Sequence, residues 1–257
     1  MSTLALAARD SSTMVRRQLK RLIRYPSMTV QLVITPVIIL LLFVYVLGGT
    51  LGQGLGGGRD IYVNYVVPGI LLMTAATAAT GTAVMVASDM TEGIVARFRT
   101  MRIARASVLT GHVVGSVIQQ LLGMAVLIGI ALAIGFRPNA TVVEWLAAAG
   151  MLTLFAVAIT WLAVALGLKS PTPEAASNAP MPLILLPFLG SGFVPTDSMP
   201  TALRWFAEYQ PFTPIMETLR GLLLGTEIGN SAAIALAWCA GLAVVSYLWA
   251  KKTYNKA

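Results

Sequence analysis

Side chains able to do chemistry are scarce in this chain, which holds one histidine and one cysteine in 257 residues. The histidine, His112, has no second imidazole to pair with, so neither a bis-histidine haem site nor a histidine-rich zinc site can be built from this chain. It reads as a polar residue near the start of an apolar helix. Cys239 lies inside an apolar run, which excludes an internal disulfide and suits a small packing residue. Gly190-Ser191-Gly192 offers a serine in a setting reminiscent of a nucleophile. A serine needs a base, however, and His112 is expected at the opposite end of the apolar segments. Gly52-Gln53-Gly54-Leu55-Gly56-Gly57 has the spaced glycines of a dinucleotide loop, yet it follows an apolar run instead of a strand and opens no βαβ unit, so it is expected to be a flexible connection. No glycine-lysine dipeptide occurs anywhere, hence there is no phosphate-binding P-loop. No cofactor or metal is expected on this chain, and any ATP that drives it must be bound by a partner.

The remaining polar candidates sit inside apolar stretches and are uncharged: Gln31 and Thr35, then Thr74, Thr77, Thr80 and Thr82, then Gln119 and Gln120. Such groups either hydrogen-bond between helices or contact something in transit. Gln31, Thr35, Thr74, Thr77, Gln119 and Gln120 are the candidates for a substrate pathway. Glu144 and Glu174 fall at the ends of apolar runs, and no ionisable relay is expected deep within one, which argues against a carrier driven by protons or sodium.

The elements that must position these residues follow from composition. Hydrophobic residues make up 57% of the chain and charged ones 11%, at a mean hydropathy of +0.79. That is more apolar surface than a soluble domain of this size can bury, so a bilayer must solvate most of it. A hydrocarbon core about 30 Å thick takes roughly 20 apolar residues per helix. The sequence predicts an all-α integral membrane domain with spans at 28–48, 61–88, 106–136, 145–168, 175–196 and 228–250, each helical because backbone groups in lipid must be satisfied internally. Alanines 75, 79, 83 and 87, and Ser107, Gly111 and Gly115, form small-residue stripes that permit close helix approach.

The formal net charge of +8 is a matter of topology, with no nucleic-acid partner implied. Basic residues cluster at Arg9, Arg16, Arg17, Lys20, Arg21 and Arg24, at Arg97, Arg99, Arg102 and Arg105, at Lys169, and at Lys251, Lys252 and Lys256. The opposite loops hold only Arg59, Arg137, Arg204 and Arg220, so 14 basic residues against 4 place both termini in the cytoplasm. Met1 to Asp10 lacks the pattern of a cleaved signal peptide. Residues 9–25 predict an amphipathic helix on the anionic leaflet, with Val15, Leu19, Leu22 and Ile23 on one face. Residues 197–227, punctuated by Pro200, Pro211 and Pro214, predict an outer re-entrant hairpin of two amphipathic pieces carrying Phe206, Pro211, Phe212 and Arg220, placed to seal the outer end of a pathway.

Two stretches carry a resemblance. Ser88–Met101 (SDMTEGIVARFRTM), running into Ala104–Gly111 (ARASVLTG), resembles the coupling region of type-2 ABC exporter permeases of the daunorubicin-resistance-like branch. Asp89 and Glu92 read as a capping-box-like helix start, Ile94, Phe98 and Met101 share one helical face, and Arg97 and Arg99 add charge beside it. Phe193-Val194-Pro195, Met199-Pro200, Phe206–Pro214 (FAEYQPFTP) and Thr218–Gly225 (TLRGLLLG) are similar to the outer region before the last helix of those permeases. With the span number and the N-terminal helix, the resemblance covers nearly the whole chain. Members usually have a proline where this chain has Arg102, so the coupling region at 89–103 is expected either to continue its helix past that point or to bend differently here.

The resemblance implies one transmembrane domain over 1–257 in the bacterial inner membrane, lacking an ATP site of its own. It would pair with a second copy or a similar permease and be bound by two cytoplasmic ATPase subunits carrying ATP and magnesium. These would act on Asp89, Glu92, Ile94, Arg97, Phe98, Arg99 and Met101 and drive alternating access for an amphipathic drug, natural product or lipid. Two other readings fit a polytopic chain: a scaffold or assembly subunit that does not transport, and an intramembrane enzyme drawing its missing groups from elsewhere.

Overall fold

The computed structural model describes residues 26–92 and 105–256, all of whose regular structure is helical. Five helices among the described residues are long and apolar enough to cross a membrane. The first runs as α1 (Pro26–Leu41), a π-helical turn at Leu42–Leu47 and α2 (Gly48–Gln53). Then come α3 (Arg59–Thr91), α4 (Arg105–Ala133) and α5 (Val142–Lys169), with α10 (Ser231–Lys256) closing the chain. The glycine-rich connection after α2 turns at Gly54–Gly57, while Gly52 and Gln53 still belong to the helix.

Helices α3 and α5 form the centre. The alanine stripe of α3 is fully buried at Ala75, Ala79, Ala83 and Ala87. A side chain at Gly167 of α5 would place its Cβ 2.5 Å from the Ala83 carbonyl oxygen, so only glycine allows the two backbones this close. Helices α1, α4 and α10 pack around this pair. Their outer faces carry bare apolar side chains such as Ile38, Val46, Leu122, Val245 and Leu248, as expected of surfaces solvated by lipid. A Thr141–Glu144 capping box starts α5, with Thr141 N–H donating to Glu144 at 2.6 Å.

Three expectations change. The stretch 175–196 is not one helix: it forms α6 (Pro173–Asn178) and α7 (Met181–Leu185), followed by turns through residues 186–193. Pro180, Pro182 and Pro187 remove three amide donors from the helical ladder, and the chain breaks where they fall. Helix α6 still packs along α3, and Phe193 reaches the start of α3, where Tyr62 donates to its carbonyl at 3.1 Å. Second, α3 continues through Thr91, so no new helix begins at Asp89, and Glu92 stands as the C-cap of α3. Third, the first span extends beyond Gly48 to Gln53. The predicted amphipathic helix at 9–25 lies outside the described residues, as does most of the predicted coupling region.

The 197–227 stretch folds as two helices, α8 (Thr201–Tyr209) and α9 (Phe212–Leu224), hinged at Gln210-Pro211. Helix α9 ends on Gly225 at φ +73°, a left-handed C-terminal residue that a side chain would strain. It packs against α3, α5 and α10.

Candidate functional site

Three groups of polar side chains occupy this scaffold, one at each end and one between. At the end where α3 finishes and α4 begins, Asp89 Oδ2 lies 3.0 Å from His112 Nε2. Both residues are buried, at 4% and 7% exposure. An ionised carboxylate only accepts, so in that state Nε2 carries the proton and donates it to Asp89. Nδ1 of His112 has no partner. Three residues beyond Asp89, Glu92 is exposed and its backbone N–H caps α3 on the Ser88 carbonyl at 2.9 Å. The other expected coupling residues, Ile94, Arg97, Phe98, Arg99 and Met101, lie outside the described residues.

In the interior, His112, Ser116 and Gln120 recur every four residues along α4 and so share one face. Each meets a side chain of a neighbouring helix. Thr82 of α3 donates to Ser116 at 3.0 Å, and Gln120 donates to Thr160 of α5 at 2.8 Å. Gln120 is fully buried and its Oε1 is unpaired. The expected pathway residues do not gather in one place. Thr74 and Thr77 return their hydroxyls to the α3 carbonyls of Ile70 and Met73, at 2.8 and 2.9 Å. Thr35 and Gln119 are half-buried on α1 and α4, while the side chain of Gln31 is outside the described set. In this conformation Thr74 and Gln120 are interior packing groups.

At the far end, the hairpin holds the irregular 186–193 segment. Arg220 of α9 is 7% exposed and reaches three oxygens: it donates to the Tyr65 carbonyl at 3.2 Å, to Ser191 Oγ at 3.2 Å and to the Ser191 carbonyl. Its guanidinium carbon stands 3.8 Å from the centroid of the Tyr65 ring, a cation–π contact. Among the described residues no carboxylate lies within salt-bridge distance of it. Gln210 at the hinge donates to the Leu186 carbonyl and to Thr213, while Thr213 accepts from the Ser191 N–H at 3.2 Å. Turn backbone that would be unsatisfied in an apolar setting is thus supplied by side chains of the hairpin. Phe212, just after Pro211, is buried edge-on against Phe155 of α5 at 5.2 Å between centroids.

Helix α8 is the exposed arm. Phe206, Trp205 and Tyr209 stand 40%, 66% and 64% exposed, while Arg204 bridges Asp197 at 2.6 Å and Glu208 at 2.7 Å. The Glu208 hydrogen bond and the Asp197 charge hold the Arg204 pKa above its ordinary value. Aromatic rings beside a charged cluster suit a headgroup region, where one end of the side chain is apolar and the other wet.

Ser191 and His112 are far apart. Ser191 contacts Arg220, which also holds residue 65 of α3, whereas His112 contacts residue 89 of the same helix, about 36 Å further along at 1.5 Å per residue. Ser191 and His112 therefore form no catalytic pair. Among the described residues no three histidine, cysteine, aspartate or glutamate side chains converge as a metal site.

The burial of Arg220 and the pairing of Asp89 with His112 were not anticipated. A signal existed for each: Arg220 lies four residues after Met216 and one after Leu219, on the apolar face of α9, and His112 heads a polar repeat with Ser116 and Gln120.

Comparison with known proteins adds an independent line. The ABC-2 type transporter family matches residues 10–224. The daunorubicin resistance ABC transporter permease protein DrrB1 of Streptomyces coeruleorubidus is 25% identical over 243 residues, covering 94% of this chain and 84% of the relative. The probable doxorubicin resistance ABC transporter permease protein DrrC of Mycobacterium tuberculosis, in two strains, is 25% identical over 214 residues, covering 83% of this chain and 78% of the relative.

Proposed function

Since the chain belongs to the ABC-2 type transporter family and is a multi-pass permease subunit of an ABC exporter, we propose that its cargo is an amphipathic drug, natural product or lipid moved outward from the cytoplasm or inner leaflet. The observation that carries this reading is the likeness over 94% of the chain to a permease named for daunorubicin resistance, an amphipathic drug. The apolar helices support it, because cargo that partitions into lipid can enter from the leaflet and needs few fixed charges to orient it.

The working unit is two permeases, either two copies or this chain with a similar one, in the bacterial inner membrane with both termini cytoplasmic. Two cytoplasmic ATPase subunits bind ATP and magnesium and act on the segment that begins at Glu92 and runs through Ile94, Arg97, Phe98, Arg99 and Met101. Closure of the ATPases on nucleotide favours one arrangement of the permease pair over the other by their difference in affinity. At the opposite end the α8–α9 hairpin, anchored by Phe212 and Arg220, forms the outer seal, with Trp205, Phe206 and Tyr209 at the headgroup level.

The test is capture of the tagged full-length chain, co-expressed with its genomic neighbours, in nanodiscs. Recovery of an ATPase in equal stoichiometry, with turnover altered by daunorubicin, is the expected result. A folded chain that captures no ATPase would leave the scaffold reading in its place.

A further inference from the structure

A push on the segment between Thr91 and Arg105 would enter the membrane domain through the two helices that flank it, α3 and α4. Apolar side chains resist separation of two helices, but equivalent apolar contacts can be remade after a shift of one turn. A buried hydrogen bond does not slide. Displacement by one turn leaves both of its groups unpaired in a low-dielectric interior, a cost that specifies register.

The polar contacts of α4 are arranged to impose such a register. Asp89 stands two residues before the last residue of α3, and its carboxylate meets His112 at 3.0 Å with both residues buried. A hydrogen bond to an ionised carboxylate is of the stronger kind. One turn further along α4, Ser116 takes the hydroxyl of Thr82, again from α3. One more turn along, Gln120 bonds Thr160 of the central helix α5. The three contacts run about 12 Å from the junction toward mid-bundle, at 1.5 Å per residue. Asp89 therefore faces inward to α4, unlike exposed Glu92.

We propose that the Asp89–His112 pair is a positioning contact that makes α3 and α4 answer the ATPase as one body, with Ser116 and Gln120 passing that movement to α5. This rests on the exporter reading above. Neither residue touches cargo or nucleotide in this role; each acts by holding the other's helix in register.

The test uses the complex of full-length chain and its ATPase in proteoliposomes. Replacing a buried polar pair by apolar residues of similar volume is often neutral for stability, so Asp89→Leu/His112→Leu removes the tie while keeping the packing. The expected result is normal ATPase capture and an unchanged KM for ATP. Daunorubicin transported per ATP falls about five-fold or more, the usual size of a coupling between sites. If the double variant fails to accumulate in the membrane, Asp89→Ala, which removes the acceptor without leaving a buried charge, is measured instead and should show the same split. Transport per ATP equal to the unaltered chain would overturn the proposal and leave the exporter reading intact. An unaltered chain that captures no ATPase would overturn both.

Discussion

Replacing Arg220 by methionine isolates the guanidinium from the stem that carries it. Methionine fills a similar volume along the apolar face of α9, so what is lost is the charge and its donors. Three acceptors then lose the guanidinium donor, the carbonyls of Tyr65 and Ser191 and the Ser191 hydroxyl, and the contact over the Tyr65 ring goes with it. A buried group left without its partner costs about 1–3 kcal/mol, and a desolvated cation–π contact is worth about 2 kcal/mol. Against this stands relief of a buried cation that has no carboxylate within salt-bridge distance among the described residues, several kcal/mol in the opposite sense. The balance predicts a net loss of about 3 kcal/mol. Arg220→Lys keeps the charge, but an ammonium on a shorter reach cannot serve three separated oxygens, and about 2 kcal/mol should be lost. Reversible unfolding in mixed micelles measures both. Equal stability of Arg220→Met and the unaltered chain would mean that relief of burial cancels the clamp, and the reasoning about the hairpin anchor would fail.

Further outcomes can be checked with the same material. Gly69→Ala would put a Cβ 2.6 Å from the Gly192 carbonyl oxygen, so the 186–193 segment must shift, at about 1–3 kcal/mol in the same unfolding assay. Gly225→Ala forces a side chain into the left-handed region at φ +73° and should cost about 1–2 kcal/mol, seen as a lowered Tm. Glu92→Arg and Phe98→Ala should leave the chain folded in the membrane and separate ATP hydrolysis from export, measured as drug moved per ATP; normal coupling in both would remove the 92–101 segment from the ATPase contact. Gln120→Leu removes a buried, unpaired Oε1 along with a donor, and its effect on stability should stay within about 1 kcal/mol.

Much of the architecture is legible in the sequence because the bilayer demands it. Long uncharged runs can only be helices in lipid, and α3, α4, α5 and α10 overlap their expected ranges. The 175–196 run has the length and apolarity of a span, but those two properties do not register where Pro180, Pro182 and Pro187 interrupt it; proline spacing does, and it was the better guide. Asp89 followed by Glu92 matches a capping box locally, yet α3 runs on through Thr91 and the Asp89 side chain is turned to a partner on another helix. That partnership depends on the packing of α3 against α4, which no local pattern encodes. Arg220 shows the same limit. The sequence places Arg220 in the outer hairpin but names no partner for it, and only the folded hairpin brings Tyr65 and Ser191, far away in the chain, to its guanidinium.

Outward movement of cargo, driven by ATP and dependent on this chain, is the central claim. The most direct measurement is ATP-driven uptake of a fluorescent amphipathic drug into inverted proteoliposomes that contain the chain and its ATPase. The account predicts accumulation that needs ATP with magnesium and disappears when either protein is omitted. Retention of a folded complex that hydrolyses ATP but moves none of a panel of drugs and lipids would contradict it.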